Sequence, residues 1–489
     1  MGIISGQDRH QLSLPSSLDD SIGPENFARI IDAFVDSLDL LGLGFTNVIP
    51  SHMGRKRYAS EDMLKLHVYG CNVGVRSSRK LEAETHRNIE VAWLLKNLRP
   101  DHKTIAEFRR KNAKPLERVF RMFVLMLDDW DLLGKEVVAI DGTKIRASNN
   151  KKRNMSRNSL DRRLKAIDAK VAEYMEELER NDLADEGKPE IDVAAVLKEL
   201  MSRKQKYEGY VQELEASGEN EMSLTDPDAR LMGNNRGGVD VCYNVQSAVD
   251  AKHHMIVEMN VTNSPADHGQ LSVMAKRVKK RLKIKRSFTV LADKGYYNGP
   301  DLKRCKKNKI TAIVARQKTG KDAPDTSYRT DKFAYTPGAD YFTCPAGYHL
   351  KRTGSKDRRT YENRNACRKC EVRDKCTRAK YRKITVSHYD KIFKDADKRL
   401  AENKELYRLR QMLVEHPIGT VKQNMNGGYF LLRGLRKVRG EVALLFLGYN
   451  LKRAFNILGF KEMMAKIQAI SLCFLSCFRE TGITKVQLA

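Results

Sequence analysis

The chain has 489 residues, 41% hydrophobic and 7% aromatic, enough for roughly two to four domains with a sizeable core and unlike a fibrous or largely disordered protein. Ninety Lys and Arg against 62 Asp and Glu leave a formal charge of +28, which favours a nucleic acid partner, with an anionic membrane surface second. No apolar run approaches the roughly twenty residues of a spanning helix, the opening MGIISGQDRHQLSLPSSLDD lacks a secretory core and reads as cytoplasmic, and nine cysteines do not suggest a disulfide scaffold.

From Gly23 to Leu43 apolar residues recur at three- and four-residue steps, the pattern of an amphipathic helix. The same periodicity covers SEDMLKLHVYGCNVG, SSRKLEAETHRNIEVAWLLKNL and Thr104 to Trp130, with Ser60 and Ser77 as N-caps, so residues 1–134 read as an all-helical domain. Val137 to Arg146 is rich in β-branched residues and reads as the first strand of a core segment, 135–155. Within 156–218, runs from Leu160 to Leu178 and from Val193 to Leu214, joined by the polar DLADEGKPE turn, predict an antiparallel helical hairpin, a packing or dimer-contact arm.

Strand signals resume in VDVCYNVQSAVD and HHMIVEMNVTN, a β-hairpin turning around Ala251 and Lys252. A helix from Asp267 to about Lys280, a strand ending at Asp293, a short helix over PDLKRCKKN and the strand KITAIVAR complete the segment 219–317. That order predicts an α/β fold, a mixed sheet with helices on its faces. Residues 318–385 are basic, turn-rich and cysteine-rich. A charged helix from about Val386 to Glu415 follows, then a further helical segment started by Pro417, core helices to 460 and a tail over 461–489.

An ionised carboxylate inside an apolar strand is costly unless a cation or hydrogen bonds compensate. Asp141 in VVAIDGTKI is therefore either a solvent-facing strand-end residue or a metal ligand. Asp293 ends its strand where α/β sheets bind ligands, or it caps a turn. Glu415 lies about two turns beyond Tyr407 on nearly the same side, Arg410 shares the face of Tyr407, and Lys422 lies two turns further on. A solvated charged helix accounts for that pattern equally. Brought together, Asp141, Asp293 and Glu415 would stay ionised only around divalent cations, and oxygen ligands point to Mg²⁺ or Mn²⁺ in a two-metal site for phosphodiester displacement. Asp250 reads as a turn residue, Asp267 as the N-cap of the helix it opens, Asp240 as a strand-entry residue and His416 as a surface histidine.

Cys344, Cys367, Cys370 and Cys376 have the spacing of a tetrathiolate site for a structural Zn²⁺, with free thiols or a redox pair as alternatives. Eight of the eleven residues from Lys276 to Arg286 are cationic. Of these Lys276, Arg277, Lys279 and Lys280 suit phosphate contact, or a solvated face. The N-terminal helices offer Arg76, Arg79, Lys80, Arg109 and Arg110 for reading DNA in a helix-turn-helix arrangement, or as surface charge.

Several of these stretches, among them EDMLKLHVYGCNVGVRSSRKLEAETHRNIEVAWLL, PDHKTIAEFRRKN, VVAIDGTKIRASNN, YNVQSAVD, LADKGYYN and YNLKRAFNIL, resemble bacterial insertion-sequence DDE transposases of the IS-eleven-eighty-two family with an InsH-type N-terminal domain. The resemblance implies an RNase H-like core and Asp141, Asp293 and Glu415 as the triad, while the cysteine spacing itself reads as a zinc-ribbon-like insertion. It also implies cleavage of element ends, transfer of the 3′-hydroxyls into target DNA, and a homodimer or higher synaptic assembly on duplex DNA at the nucleoid. Tyr407, Arg410, Glu415 and Lys422 match the family's tyrosine, arginine, glutamate, lysine pattern with one extra residue before Glu415, and the resemblance implies that the tyrosine and the two cations hold end phosphates. Two other classes share these features: a non-catalytic DNA-binding protein derived from such an element, and an RNase H-like nuclease acting on RNA.

Overall fold

The computed structural model describes residues 17–48, 57–150, 153–184, 193–233, 238–316, 323–353 and 358–480. The chain opens with helices α1 (Phe27–Asp36), α2 (Ser60–Asn72), α3 (Ser78–Arg87), α4 (Ile89–Leu94), α5 (His102–Lys111) and α6 (Ala113–Asp129). Asn26, Asn88 and Asp101 accept hydrogen bonds from first-turn N–H groups and so start α1, α4 and α5. The two serines expected as caps behave otherwise. Ala59 stands at the start of α2 while the Ser60 hydroxyl donates to the Thr46 carbonyl, and Ser77 precedes α3 without a side-chain capping bond.

There follow β1 (Val137–Arg146), β2 (Asn154–Ser156), α7 (Arg157–Ala184), α8 (Val193–Ser217), β3 (Glu221–Ser223), β4 (Arg230–Gly233), β5 (Val239–Asp250) and β6 (Ile256–Thr262). After these come α9 (Gln270–Arg281), β7 (Phe288–Ala292), α10 (Gly299–Lys307) and β8 (Ile310–Val314). The main sheet runs β4-β5-β1-β7-β8, with β6 also on β5. β1 is antiparallel to β5 and parallel to β7, and β7 is parallel to β8. This is the mixed α/β sheet that the strand order predicts, with β4 added, a four-residue strand too short to show a period. Val138, Ala139 and Ile140 are buried, as are Val290, Leu291 and Ala292, which is why these strands read as unbroken apolar runs. The α7 and α8 arm closes on itself around Met155, Leu160 and Leu214; its turn, residues 185–192, lies outside the described residues.

The cysteine-rich region carries β9 (Ala334–Thr336), β10 (Tyr341–Thr343), β11 (His349–Arg352), β12 (Arg358–Glu362), α11 (Arg364–Arg368), α12 (Arg373–Cys376) and β13 (Lys383–Ser387). Its strands form one antiparallel sheet in the order β13-β12-β11-β10-β9. Though basic and turn-rich in sequence, the region encloses a core of Phe333, Leu350, Tyr361 and Ile384, with Phe342 set edge-on against Tyr361. The expected start of this region, at 318, lies outside the described residues.

Helices α13 (Asp390–Glu402), α14 (Lys404–Gln423) and α15 (Leu435–Glu480), the last broken at Gly459 (φ 73°), complete the chain. The helix expected from Val386 thus begins later, because Val386 belongs to β13, and it breaks at Asn403. Pro417 lies inside α14 rather than opening a new helix: its ring is buried in the core, where packing offsets the one helical hydrogen bond it cannot make. One hydrophobic cluster runs from α1 through the main sheet to α15. α15 crosses α6 so closely that a Cβ on Gly440 would lie 2.5 Å from Ala113 Cα. The N-terminal helices therefore share a core with the sheet they precede.

Candidate active site

The register of β1 on β7 ends with Ile140 opposite Ala292, so the next residue on each strand is an aspartate, Asp141 and Asp293. Parallel neighbours at equal register point the same way, and the two carboxylates interact electrostatically. Asp141 is largely buried. Burial pushes its carboxyl up to about 6; the Gly142 N–H, which donates to it at 2.9 Å, and Arg410 act against that rise, while Asp267 and Asp293 add to it. Asp293 sits at the mouth of the site, its side chain 43% exposed, where it accepts from the Lys294 N–H at 2.7 Å and faces Arg410 Nη2 at 3.9 Å.

Helix α14 packs against β1, β5 and β7 through Leu413, Val414, Pro417 and Val421. Arg410 stacks over the half-buried Tyr407 ring at 5.8 Å. Burial pushes the Lys422 ammonium down, and Asp141 and Cys242 pull it back up. Tyr407, Arg410 and Lys422 are each partly buried rather than a solvated helix face, with Arg410 facing Asp293 and Lys422 within electrostatic reach of Asp141. Glu415 lies between Arg410 and Lys422 on the same helix, exposed. Seven residues separate it from Lys422, which leaves the two side chains about 20° apart around the helix axis. His416 points elsewhere and packs its ring against His254 at 5.9 Å.

Asp267 overturns its reading as a helix cap. α9 begins at Gln270 with Gly269 before it, and the Asp267 carboxylate instead accepts from Asn244 at 2.8 Å and Gln246 at 2.7 Å. Lys144 stands 3.7 Å away. Strand alternation puts Gly142 and Lys144 on the face opposite Asp141. Asp267 therefore presses on Asp141 from across the strand, and a Cβ at Gly142 would fall 2.3 Å from its Oδ1. Gln246 also accepts from the buried Tyr296 hydroxyl. What in the sequence pointed to this polar layer was Asn244 and Gln246 two residues apart, on one face of a strand. Asp250 keeps its turn role, accepting from the Gly134, Lys135 and Lys252 N–H groups.

The cations expected on DNA divide. Arg76 and Arg109 are 4% and 5% exposed. Arg76 pairs with Glu441 and donates to the Tyr429 carbonyl at 3.0 Å, and Arg109 donates to the Arg76 carbonyl at 2.9 Å. Burial withdraws Arg76 from the DNA-contact set: it joins the N-terminal helices to the segment before α15. Arg79, Lys80 and Arg110 are exposed on the same helices. In the basic run Lys276, Arg277 and Lys280 are exposed, while Lys279 bonds the Asn308 carbonyl at the end of α10 at 2.8 Å. Arg281 is held by buried Glu258 at 2.6 Å.

Cys344, Cys367, Cys370 and Cys376 line one small cavity of about 30 Å³ between α11, α12 and the sheet of the cysteine-rich region. Burial pushes the Cys367 and Cys376 thiols up, and the neighbouring cysteines add to the rise. Among the described residues no three His, Cys, Asp or Glu side chains gather at metal-ligand spacing, and no helix is long and apolar enough to cross a membrane.

Residues 343–455 match the family of transposase DDE domains, a span that holds Tyr407, Arg410, Glu415, Lys422 and the four cysteines. Residues 16–111 match a second family, transposase domain (DUF772), a span that holds Arg76 to Arg110. Together the two matches support a DDE-type transposase. The cryo-EM structure of a piggyBac transposase synaptic complex with hairpin DNA is similar over 94% of this chain and 80% of that one, at 8% identity and a TM-score of 0.31. No curated protein matches the chain.

Proposed function

We propose that the protein is a DDE transposase of the insertion-sequence type, with an RNase H-like core, that cleaves the ends of its element and joins the freed 3′-hydroxyls to target DNA. The observation that carries this reading is the pair of strand-end aspartates, one of them buried at a cost, faced by two cations from α14. Carboxylates set beside cations suit a substrate and an ion of opposite charges, a phosphodiester and a divalent metal.

Asp141 and Asp293 are oxygen donors of the kind Mg²⁺ and Mn²⁺ take, and the burial cost of Asp141 is what a cation would relieve. When bound, such ions supply the charge that lets water or a 3′-hydroxyl attack phosphorus and the opposite oxygen leave. Glu415 is the third ligand in this reading, because it shares a helix side with Lys422, which interacts with Asp141, and carries no ion pair of its own among the described residues. Arg410 and Lys422 neutralise the phosphate oxygens, and Tyr407 holds Arg410 flat. Asp267 orients Gln246 and Asn244 behind the reacting strand. In the cysteine-rich region, the four cavity-lining thiols are the donor set for a structural Zn²⁺.

Purified protein with Mn²⁺ and duplex carrying the flanking inverted repeats should be nicked at the repeat ends. Asp141→Asn, Asp293→Asn and Glu415→Gln should each abolish nicking while leaving DNA binding intact. Retained nicking by either aspartate variant would remove the assignment. Nicking lost with Asp267→Asn but kept with Glu415→Gln would move the third carboxylate across the strand.

A further inference from the structure

The N-terminus of α3 opens onto a groove that the site above does not use. Ser77, Ser78, Lys103, Arg109 and Arg110 line it, with Leu431 and Leu432 forming the opposite wall, and it encloses about 490 Å³. It continues past Arg110 into a second hollow of about 300 Å³, where Arg433, Arg436 and Lys437 line the wall. Over both hollows the lining holds seven cations, Lys111 included, and two carboxylates. Both carboxylates are engaged: Glu107 pairs with Arg110 and Lys111, and Asp228 accepts the Leu435 N–H at 2.7 Å.

Two independent features mark one end of this groove for an anion. Ser77 makes no side-chain bond to the first turn of α3, and it lines the hollow together with Ser78, the first residue of that ten-residue helix. Arg109, almost wholly buried, lines this hollow and also the small cavity beside Glu441, and its Nε finds no hydrogen-bond partner among the described residues. A buried guanidinium N–H left unsatisfied is costly unless a ligand meets it. At the other end Arg433 Nε donates to the Ser148 carbonyl at 3.2 Å, just beyond the end of β1, the strand that carries Asp141.

We propose that this groove seats the sugar-phosphate backbone of duplex DNA, one phosphate resting on the N-terminus of α3 beside Arg109 and its neighbours along Arg110, Arg433, Arg436 and Lys437. The proposal deepens the transposase reading and rests on it: it names the surface that leads DNA to the aspartates. A recessed, linear run of cations suits a rod-like polyanion better than a flat anionic bilayer. Contacts of this type add affinity without choosing sequence.

The full chain, in EDTA, can be titrated against a labelled random-sequence duplex by fluorescence anisotropy over a range of KCl. Ser77→Asp keeps a good N-cap for α3 and complements its dipole, yet sets a carboxylate where the phosphate would lie. Affinity should fall about tenfold with thermal stability unchanged or raised. In Arg110→Gln/Lys437→Gln the slope of log affinity against log salt should drop by about 2, at roughly 0.9 per lost phosphate contact. The control Lys394→Gln/Lys398→Gln, on exposed positions of α13, should leave both quantities unchanged. Wild-type binding by Ser77→Asp, or an equal loss in the control, would overturn the groove, even if the wild-type protein still nicks repeat ends with Mn²⁺. Absence of both binding and nicking by the wild type would remove the transposase reading together with it.

Discussion

Two of the places where this protein holds charge away from water treat it in opposite ways. Where α3, the 426–432 segment and α15 meet, the side chains of Arg76 and Glu441 are each 2% exposed and fully engaged, the carboxylate also accepting the Leu431 and Leu432 N–H groups. At the sheet, Asp141 receives one backbone N–H, a second carboxylate as neighbour and a third behind the strand. A buried ion whose bonds are complete holds elements together. One left with repulsion is a site that a ligand completes.

The largest effect expected from this contrast is at the completed pair. Glu441→Ala leaves Arg76 buried without its partner and should cost about 3–5 kcal/mol in urea denaturation. The Arg76→Met/Glu441→Leu double variant should recover most of that, and a double variant as unstable as the single one would show that packing, not charge, holds the seam.

At the incomplete site the sign reverses. The Asp141 carboxyl is raised from 3.8 to about 6, so its contribution to stability is fully present below pH 4 and is lost as pH rises through 6. Without divalent cations Asp141→Asn should therefore be more stable than wild type by about 3 kcal/mol at pH 8, and no more stable at pH 4. Mg²⁺ should raise the melting temperature of the wild type and not of the variant. Equal melting temperatures at pH 8 would place Asp141 among ordinary solvated aspartates.

Between these lies the polar layer behind the strand. Gly142→Ala drives a methyl against Asp267 Oδ1 and Gln246 Nε2, at 2.3 and 2.4 Å, and should cost about 1–3 kcal/mol, read by the denaturation midpoint. The smallest effect belongs to the exposed rim. Arg110→Gln breaks only a surface pair with Glu107 and should leave the melting temperature unmoved, while lowering DNA affinity in the anisotropy titration.

Much of the architecture was legible because it rests on short-range pattern. The β1 span, the β5 and β6 hairpin and the order of strands and helices through β8 follow from β-branched runs and turns, and two such runs ending in an acid singled out Asp141 and Asp293; the parallel pairing of β1 with β7 that sets them side by side is a long-range contact that no local pattern shows. The cysteine spacing pointed to one cavity, but not to the antiparallel sheet around it, whose core is made of aromatic residues scattered from Phe333 to Ile384. β4 and the break at Asn403 left no periodic trace.

The roles of individual charged residues were a different matter. Arg76 and Arg79 stand three apart in one basic stretch, yet one is buried and the other exposed, since the carboxylate that accepts Arg76 is 365 positions away. Asp267 looked like a cap because a cap is decided within a few residues. Its actual partners, Asn244 and Gln246, come from a strand more than twenty positions earlier. Local propensity sets which segments become strands and helices, whereas the cost of burying a charge depends on what long-range folding brings against it. That long-range encounter is what sorted these arginines and aspartates into buried ties and exposed or repelled charges.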